Sequence, residues 1–159
     1  MEKSTAHLHV VSEGTEVHLE NYWLSPLGAS GENATITIDL GCIKKINGVY
    51  LRNTHNGDEK DRGTKEFTIF YWGGYSWEDE NDKRFLLNGV LPDLRNQTEK
   101  LTTFFSVPHS YDDSSALSND VKVRYLKFQV NSFYGEGGGL HYIKENDADQ
   151  EGRDYTGAF

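Results

Sequence analysis

The sequence predicts an all-β protein, an antiparallel β-sandwich or jelly roll, on three observations. Eight or nine short segments carry strand character, nearly all separated by Gly, Asn, Asp or Ser. Two of them alternate apolar and polar residues at the two-residue period of a half-buried antiparallel strand. No segment carries a long apolar stripe at helical spacing.

In chain order the predicted strands are 7–11, 16–19, 34–40, 46–52, 65–71, 84–87, 101–107, 123–130 and 140–143. In the first, His7 and His9 share a face and could supply two metal ligands, but the sequence offers no third. In 34–40, Ile36, Ile38 and Leu40 alternate with Thr35, Thr37 and Asp39. Val49 and Leu51 share a face of 46–52, and Phe67, Ile69 and Tyr71 share one of 65–71. Beyond that strand, Tyr71, Trp72, Tyr75 and Trp77 surround Gly73-Gly74, either as an aromatic platform or as rings packed onto the sandwich. Leu126, Phe128 and Val130 alternate with Lys127 and Gln129. Sheets with one apolar face must bury it against another, which is the reason for a sandwich. Residues 111–120 read as a loop.

The 159 residues suit one domain large enough to bury a core without disulfide staples, expected over 1–146. Residues 147–159, DADQEGRDYTGAF, read as an acidic tail or linker, with a partner-binding peptide as the alternative. The single cysteine, Cys42, rules out an intrachain bridge and reads as a buried thiol at a strand end. Net charge is −9, from 16 basic against 25 acidic residues, with no Lys/Arg cluster along the chain. That balance disfavours nucleic acid and anionic membranes as partners. No apolar run approaches the roughly 20 residues that span a bilayer, so membrane insertion is not expected. The opening Met-Glu-Lys-Ser-Thr-Ala-His lacks the charged-then-apolar order of a signal peptide.

The segment 51–67, LRNTHNGDEKDRGTKEF, holds a loop dense in hydrogen-bonding groups between two apolar strands. Gly57 and Gly63 permit positive φ where the backbone must turn. Polar groups on a scaffolded loop are a common binding arrangement. A solvated hairpin connection is the alternative.

Several segments, in order, resemble the discoidin, or coagulation factor 5/8 type C, family of the galactose-binding-like superfamily. They are Tyr22-Trp-Leu, Ile36-Thr-Ile-Asp-Leu-Gly41, Ile46-Asn-Gly-Val-Tyr-Leu-Arg-Asn53, Arg62-Gly-Thr-Lys-Glu-Phe-Thr-Ile69, Asn88-Gly-Val-Leu-Pro-Asp93 and Val123-Arg-Tyr-Leu-Lys-Phe128. The last runs into Ser132-Phe-Tyr-Gly-Glu-Gly-Gly-Gly-Leu140. The resemblance implies an eight-stranded jelly roll, galactose-binding-domain-like, whose loops at one end bind sugars, lipids or protein partners. It also favours an extracellular or cell-surface setting. Extracellular members often tie their termini with a disulfide, which one cysteine forbids here. Members that bind calcium use an Asp/Asn-rich loop before the first Trp and a Glu near the carboxyl end. Here only Glu20-Asn21-Tyr22 precedes Trp23, so Glu145 alone matches and calcium has an incomplete ligand set. Phospholipid-binding members carry apolar spikes that the polar loop after Arg52 lacks.

Residues 53–62 fall where sugar-binding relatives place part of their contacts, beside the stretch 132–140. The resemblance and the chemistry together nominate Asn53, His55, Asn56, Asp58, Arg62, Phe133 and Tyr134. Asn, Asp and Arg engage paired hydroxyls in fixed geometry, His donates or accepts, and an aromatic face packs on the C–H side of a pyranose. Alternatively, Arg62 pairs with Asp58 or Asp61 and braces the loop.

Gly135-Glu-Gly-Gly-Gly-Leu140 is not a dinucleotide loop, since Leu140 replaces the last glycine and a strand follows. Asn56-Gly-Asp-Glu-Lys-Asp61 is not an EF-hand, since Lys60 takes a ligand position. No G-x-S-x-G, H-E-x-x-H, P-loop or Cys/His zinc spacing is present. The expectation is a noncatalytic module that binds a glycan or glycoprotein, the alternative being a structural module that docks a protein partner or neighbouring domain.

Overall fold

One 18-residue strand organises the backbone of the computed structural model, which describes residues 7–9, 16–73, 77–97, 101–108 and 121–148. Expectations for Val10, Val11, Tyr75, the 111–120 loop and the tail past Ala148 lie outside the described residues. The strands are β1 (His7–His9), β2 (Glu16–Leu24), β3 (Thr35–Arg52), β4 (Glu66–Trp72), β5 (Arg84–Val90), β6 (Thr102–Ser106), β7 (Val121–Val130) and β8 (Gly139–Asp147). Short 3-10 turns η1 (Gly31–Asn33), η2 (Gly57–Glu59) and η3 (Trp77–Asp82) lie between them.

The first part of β3 runs between β7 and β1, and its last five residues run between β8 and β6. β3 therefore passes from one sheet, β5-β4-β7-β3-β1, to the other, β2-β8-β3-β6. Among the described residues every strand pairing is antiparallel except β1 with β3. This is the expected eight-stranded, predominantly antiparallel β-sandwich.

The sequence reads as two strands, 34–40 and 46–52, where the structure has one. Gly41-Cys42-Ile43 reads as a break, yet the strand continues across it and the pairing with β7 resumes at Lys44 after an irregularity between Asp39 and Lys44. Gly41 takes φ +86 there, a conformation that favours glycine. The Asp39 carboxylate accepts from the Gly41 amide at 2.8 Å and from the Arg124 guanidinium at 3.1 and 3.4 Å, fixing the corner. Cys42 is exposed on this corner, contrary to the buried thiol expected.

The two inner faces share one core, to which Ile36, Ile38, Leu40, Val49, Leu51, Ile69, Leu126 and Val130 contribute fully buried side chains. Phe67 stacks on Phe128 at 5.3 Å and meets Phe105 of the opposite sheet edge-on at 5.0 Å. Trp23 reaches Phe128 from β2 at 6.3 Å, so aromatic contacts cross between the sheets.

The outer face of the first sheet is covered as well. Thr35, Thr37, Asp39 and Lys127 are all buried, so the half-buried alternation expected for β3 and β7 is not what forms. Lys127 gives its ammonium to Glu80 of η3, and Trp72 lies buried and stacked on Tyr125 at 5.4 Å. Trp72 thus packs on the sheet and offers no platform. The side chain of Trp77 lies outside the described residues.

Gly48 lies between β6 and β8, where an added Cβ would sit 2.4 Å from the Phe104 ring and 2.6 Å from the Phe105 carbonyl. Gly73→Ala would meet nothing nearer than 3.9 Å. Denaturant unfolding should show Gly48→Ala destabilised by about 1–3 kcal/mol. Gly73→Ala should stay within about 0.5 kcal/mol of the parent. Equal stability of the two variants would refute this packing.

Candidate functional site

At the end of β3 the chain leaves the sheet at Asn53, which is 2% exposed. Its Nδ2 donates to the carbonyls of Thr64 at 2.8 Å and Pro92 at 2.9 Å, and its Oδ1 accepts from the amides of Thr54 and Thr64 at 3.0 and 2.9 Å. One carboxamide thereby ties both ends of the polar loop to the segment after β5. Thr64 extends the tie, its hydroxyl donating to the Gly139 carbonyl at 2.6 Å and accepting from the Gly139 amide at 3.1 Å.

The loop doubles back between these anchors through three left-handed residues, Asn56, Gly57 and Lys60. Gly57 takes the positive φ expected of it. Gly63 does not; its amide donates to Gly137 at 2.9 Å and its carbonyl accepts from Tyr134 at 2.7 Å. The Asn56 amide donates to the Thr54 hydroxyl, and its side chain donates to Asp61 Oδ1 at 2.7 Å. That bond is the main reason the Asp61 carboxyl titrates below its ordinary value; burial opposes it and the Arg62 charge assists. His55 Nδ1 lies 3.0 Å from the Gly57 carbonyl. A carbonyl can only accept, so the neutral ring places its proton on Nδ1 and leaves Nε2 as an acceptor.

The glycine-rich stretch docks directly on this loop. The Glu136 amide donates to the Asp61 carbonyl at 2.7 Å, and the Glu136 carbonyl accepts from Gly28 at 2.8 Å. Gly135 has φ +73, and a Cβ there would meet the Asp61 carbonyl oxygen at 2.4 Å. Only glycine lets these backbones approach so closely.

The seven nominated residues thus gather at one end of the sandwich but divide by role. His55 and Asn56 are half-buried on the loop surface, and Asp58 is exposed. Asn53 turns inward with its bonding groups spent on backbone, a correction to the direct contact expected of it. Arg62 also braces: its side chain is 12% exposed, Nη1 donates to the Ser25 carbonyl at 3.0 Å, and Nε sits 4.0 Å from Asp61. Phe133 packs against the core. Tyr134 is half-buried, its hydroxyl donating to the Leu91 carbonyl at 2.9 Å.

Three neighbours escape the sequence reading. The Arg95 guanidinium lies 5.9 Å from the Tyr134 ring and grips Asp93 with a two-pronged contact, Nε–Oδ1 3.0 Å and Nη2–Oδ2 2.8 Å. The Asp-Leu-Arg spacing signals an Asx turn, with the Arg95 amide on Asp93 Oδ1, but not its position beside Tyr134. Tyr22 adopts φ +59, and its hydroxyl would lie 3.3 Å from a Cβ on Gly57. No residue pattern signals that backbone. Glu136 is exposed beside Asp61. As for calcium, Glu145 is buried and takes the Lys44 ammonium at 3.0 Å, so a side-chain cation already neutralises the one matching carboxylate. Among the described residues no group of three or more His, Cys, Asp or Glu could hold a metal.

No protein-family model and no curated protein matches this sequence. Among solved structures the chain is similar to a pectin-binding carbohydrate-binding module, at 16% identity over 87% of this chain and 78% of that one, with a TM-score of 0.50. It is also similar to the family 32 carbohydrate-binding module of C. perfringens NanJ in complex with galactose, at 8% identity, 82% and 75% coverage and a TM-score of 0.48. A third is truncated AlyQ with its family 32 module and alginate lyase domains, at 14% identity, 83% and 34% coverage and a TM-score of 0.39. The first likeness, at 16% identity, bears on the fold alone and agrees with the β-sandwich.

Asn53→Ala leaves buried carbonyls and amides without partners and should lower unfolding free energy by about 2–3 kcal/mol. A denaturation midpoint unchanged from the parent would contradict the brace. Asp61 contributes stability that is present above its ordinary pKa and lost as pH falls through its lowered one. Asn56→Gly keeps the left-handed backbone while removing the amide. Carboxyl NMR titration should then find the Asp61 midpoint raised; an unmoved midpoint would mean that another group holds it down.

Proposed function

We propose that this domain is a noncatalytic, discoidin-like carbohydrate-binding module that takes a neutral glycan on the loop end of the sandwich. One observation carries the reading: a continuous polar surface runs from Tyr22 over Gly57, Asn56 and Asp61 to Gly135, Arg95 and Tyr134, held from beneath by Asn53, Thr64 and Arg62. Groups held by buried bonds lose little freedom when a ligand arrives. His55 Nε2 accepts a hydroxyl proton, the Asp61 carboxylate accepts others, and Arg95 donates. Tyr22 and Tyr134 offer ring surface to pyranose C–H groups. Exposed Asp58, Glu59 and Glu136 make the surface acidic, which favours an uncharged sugar over a polyanion. The fold likeness to a pectin-binding module supports the carbohydrate class. A site this open binds weakly, on the order of micromolar to millimolar, with avidity from neighbouring copies.

A second reading, a protein-docking module, has one observation in its favour. Leu101 and Phe104 at β6 and Phe85 and Val90 on β5 are exposed apolar residues on strands at the sheet edges.

A glycan array followed by calorimetric titration tests the first reading. His55→Ala should weaken the best neutral glycan about tenfold, the loss of one hydrogen bond, with the melting temperature unchanged. No binding across the array, or full affinity in both His55→Ala and Tyr134→Ala, would count against it.

A further inference from the structure

The end of the sandwich remote from these loops carries a second cleft of different character. β4 pairs with β7 from Phe67↔Val130 at the loop end to Trp72↔Tyr125 at the other. Past that second pair an open cleft of about 790 Å³ is lined by Tyr71, Trp72, Asp82, Lys83, Arg84 and Lys122, among others. Its size falls within the range of small-ligand sites.

Its charge is the reverse of the whole molecule's. The chain carries −9, yet three of the residues lining this cleft are cations and one is a carboxylate. Lys83 shares its acidic partner: Glu80 lies 3.4 Å from its Nζ but also serves the buried Lys127. Arg84 and Lys122 are exposed. Lys122 stands directly opposite Lys45 across the β3–β7 ladder, on the same face. Trp72 is 2% exposed and stacked on Tyr125, so it floors the cleft, while half-buried Tyr71 leaves ring surface at its wall.

We infer that this cleft is a second binding site, distinct from the loop end, for a saccharide bearing a carboxylate or sulfate. Arg84 grips the oxyanion with its planar fork, Lys83 and Lys122 supply point charges, and Tyr71 packs on the ring. The proposal stands on the cleft's own residues and does not require that the loop end bind sugar.

Titration of the full chain with tri-galacturonate, a sulfated disaccharide, a neutral galactotriose and inorganic sulfate, each at low and high salt, tests it. At least one acidic saccharide should bind, losing about tenfold or more in affinity in Arg84→Ala/Lys122→Ala, the yield of one charge-assisted hydrogen bond or more. That binding should also weaken with salt and survive His55→Ala, whereas galactotriose should not respond to the double variant. Both substituted residues are exposed, so circular dichroism and melting temperature should match the parent; Lys122→Glu provides a second variant that should abolish the same binding. Failure of both acidic saccharides to bind at millimolar concentration would overturn the site. So would affinity unchanged in both variants, or inorganic sulfate binding as tightly as the saccharides.

Discussion

A carboxamide buried at the end of a strand can be satisfied only if other chain segments arrive with matching groups, and Asn53 makes that demand in this fold. Its two donors and one acceptor oxygen meet backbone from Thr54, Thr64 and Pro92, so the loop leaving β3, its return into β4 and the segment after β5 converge on one side chain. The loop between Asn53 and Thr64 can then be polar, contain three left-handed residues and still hold one shape. Thr64 passes the constraint to Gly139, and through the backbone bonds of Gly63, Asp61 and Glu136 the glycine-rich stretch is held against the same loop. Without the buried amide, the exposed groups above it would have no fixed geometry to offer.

Beneath that end lies the path of β3. Because one strand serves both sheets, the corner at Gly41 within it and the loop at Asn53 just past its end are joined through the same continuous strand. The corner is fixed by Asp39 and Arg124, and the core between the sheets is locked by Phe67 and Phe128 with Trp23 and Phe105. Each end consequently presents its side chains on a stiff support. The two ends differ in charge: acidic groups surround the Asn56–Asp61 turn, while Lys83, Arg84 and Lys122 edge the remote cleft. A bipolar module of this kind would discriminate between neutral and acidic saccharides by where they land.

Much of the sandwich is legible in the residue order. Ile36-Thr-Ile-Asp-Leu and Leu126-Lys-Phe-Gln-Val repeat with a period that only a strand satisfies, and those apolar residues are in the core. The covering of the other face is not legible, because Lys127 looks like a solvent-facing residue until η3 brings Glu80 to its ammonium, and Thr35 and Thr37 read the same way yet are buried. The unity of β3 is hidden for a similar reason, since an exposed Gly-Cys-Ile reads as an interruption whether or not the ladder continues. At the site, residue type picks out the right loop and its neighbour at 132–140 but not the direction of each side chain. Asn53 and Arg62 are as polar as His55 and Asn56, yet distant backbone carbonyls, those of Pro92 and Ser25, turn the first pair inward. Tyr22 and Arg95 belong to segments far away in sequence, so only the folded chain brings them to the loop.

The central claim is that the loop end is the glycan-binding surface. Amide chemical-shift mapping of the isotopically labelled domain against the best neutral glycan from an array tests it most directly. Saturable shifts should concentrate at His55, Asn56, Asp61, Arg95 and residues 134–136, with Tyr71, Lys83 and Lys122 unmoved. Shifts confined to the remote cleft or to β5 and β6, with the 55–61 loop silent, would contradict it.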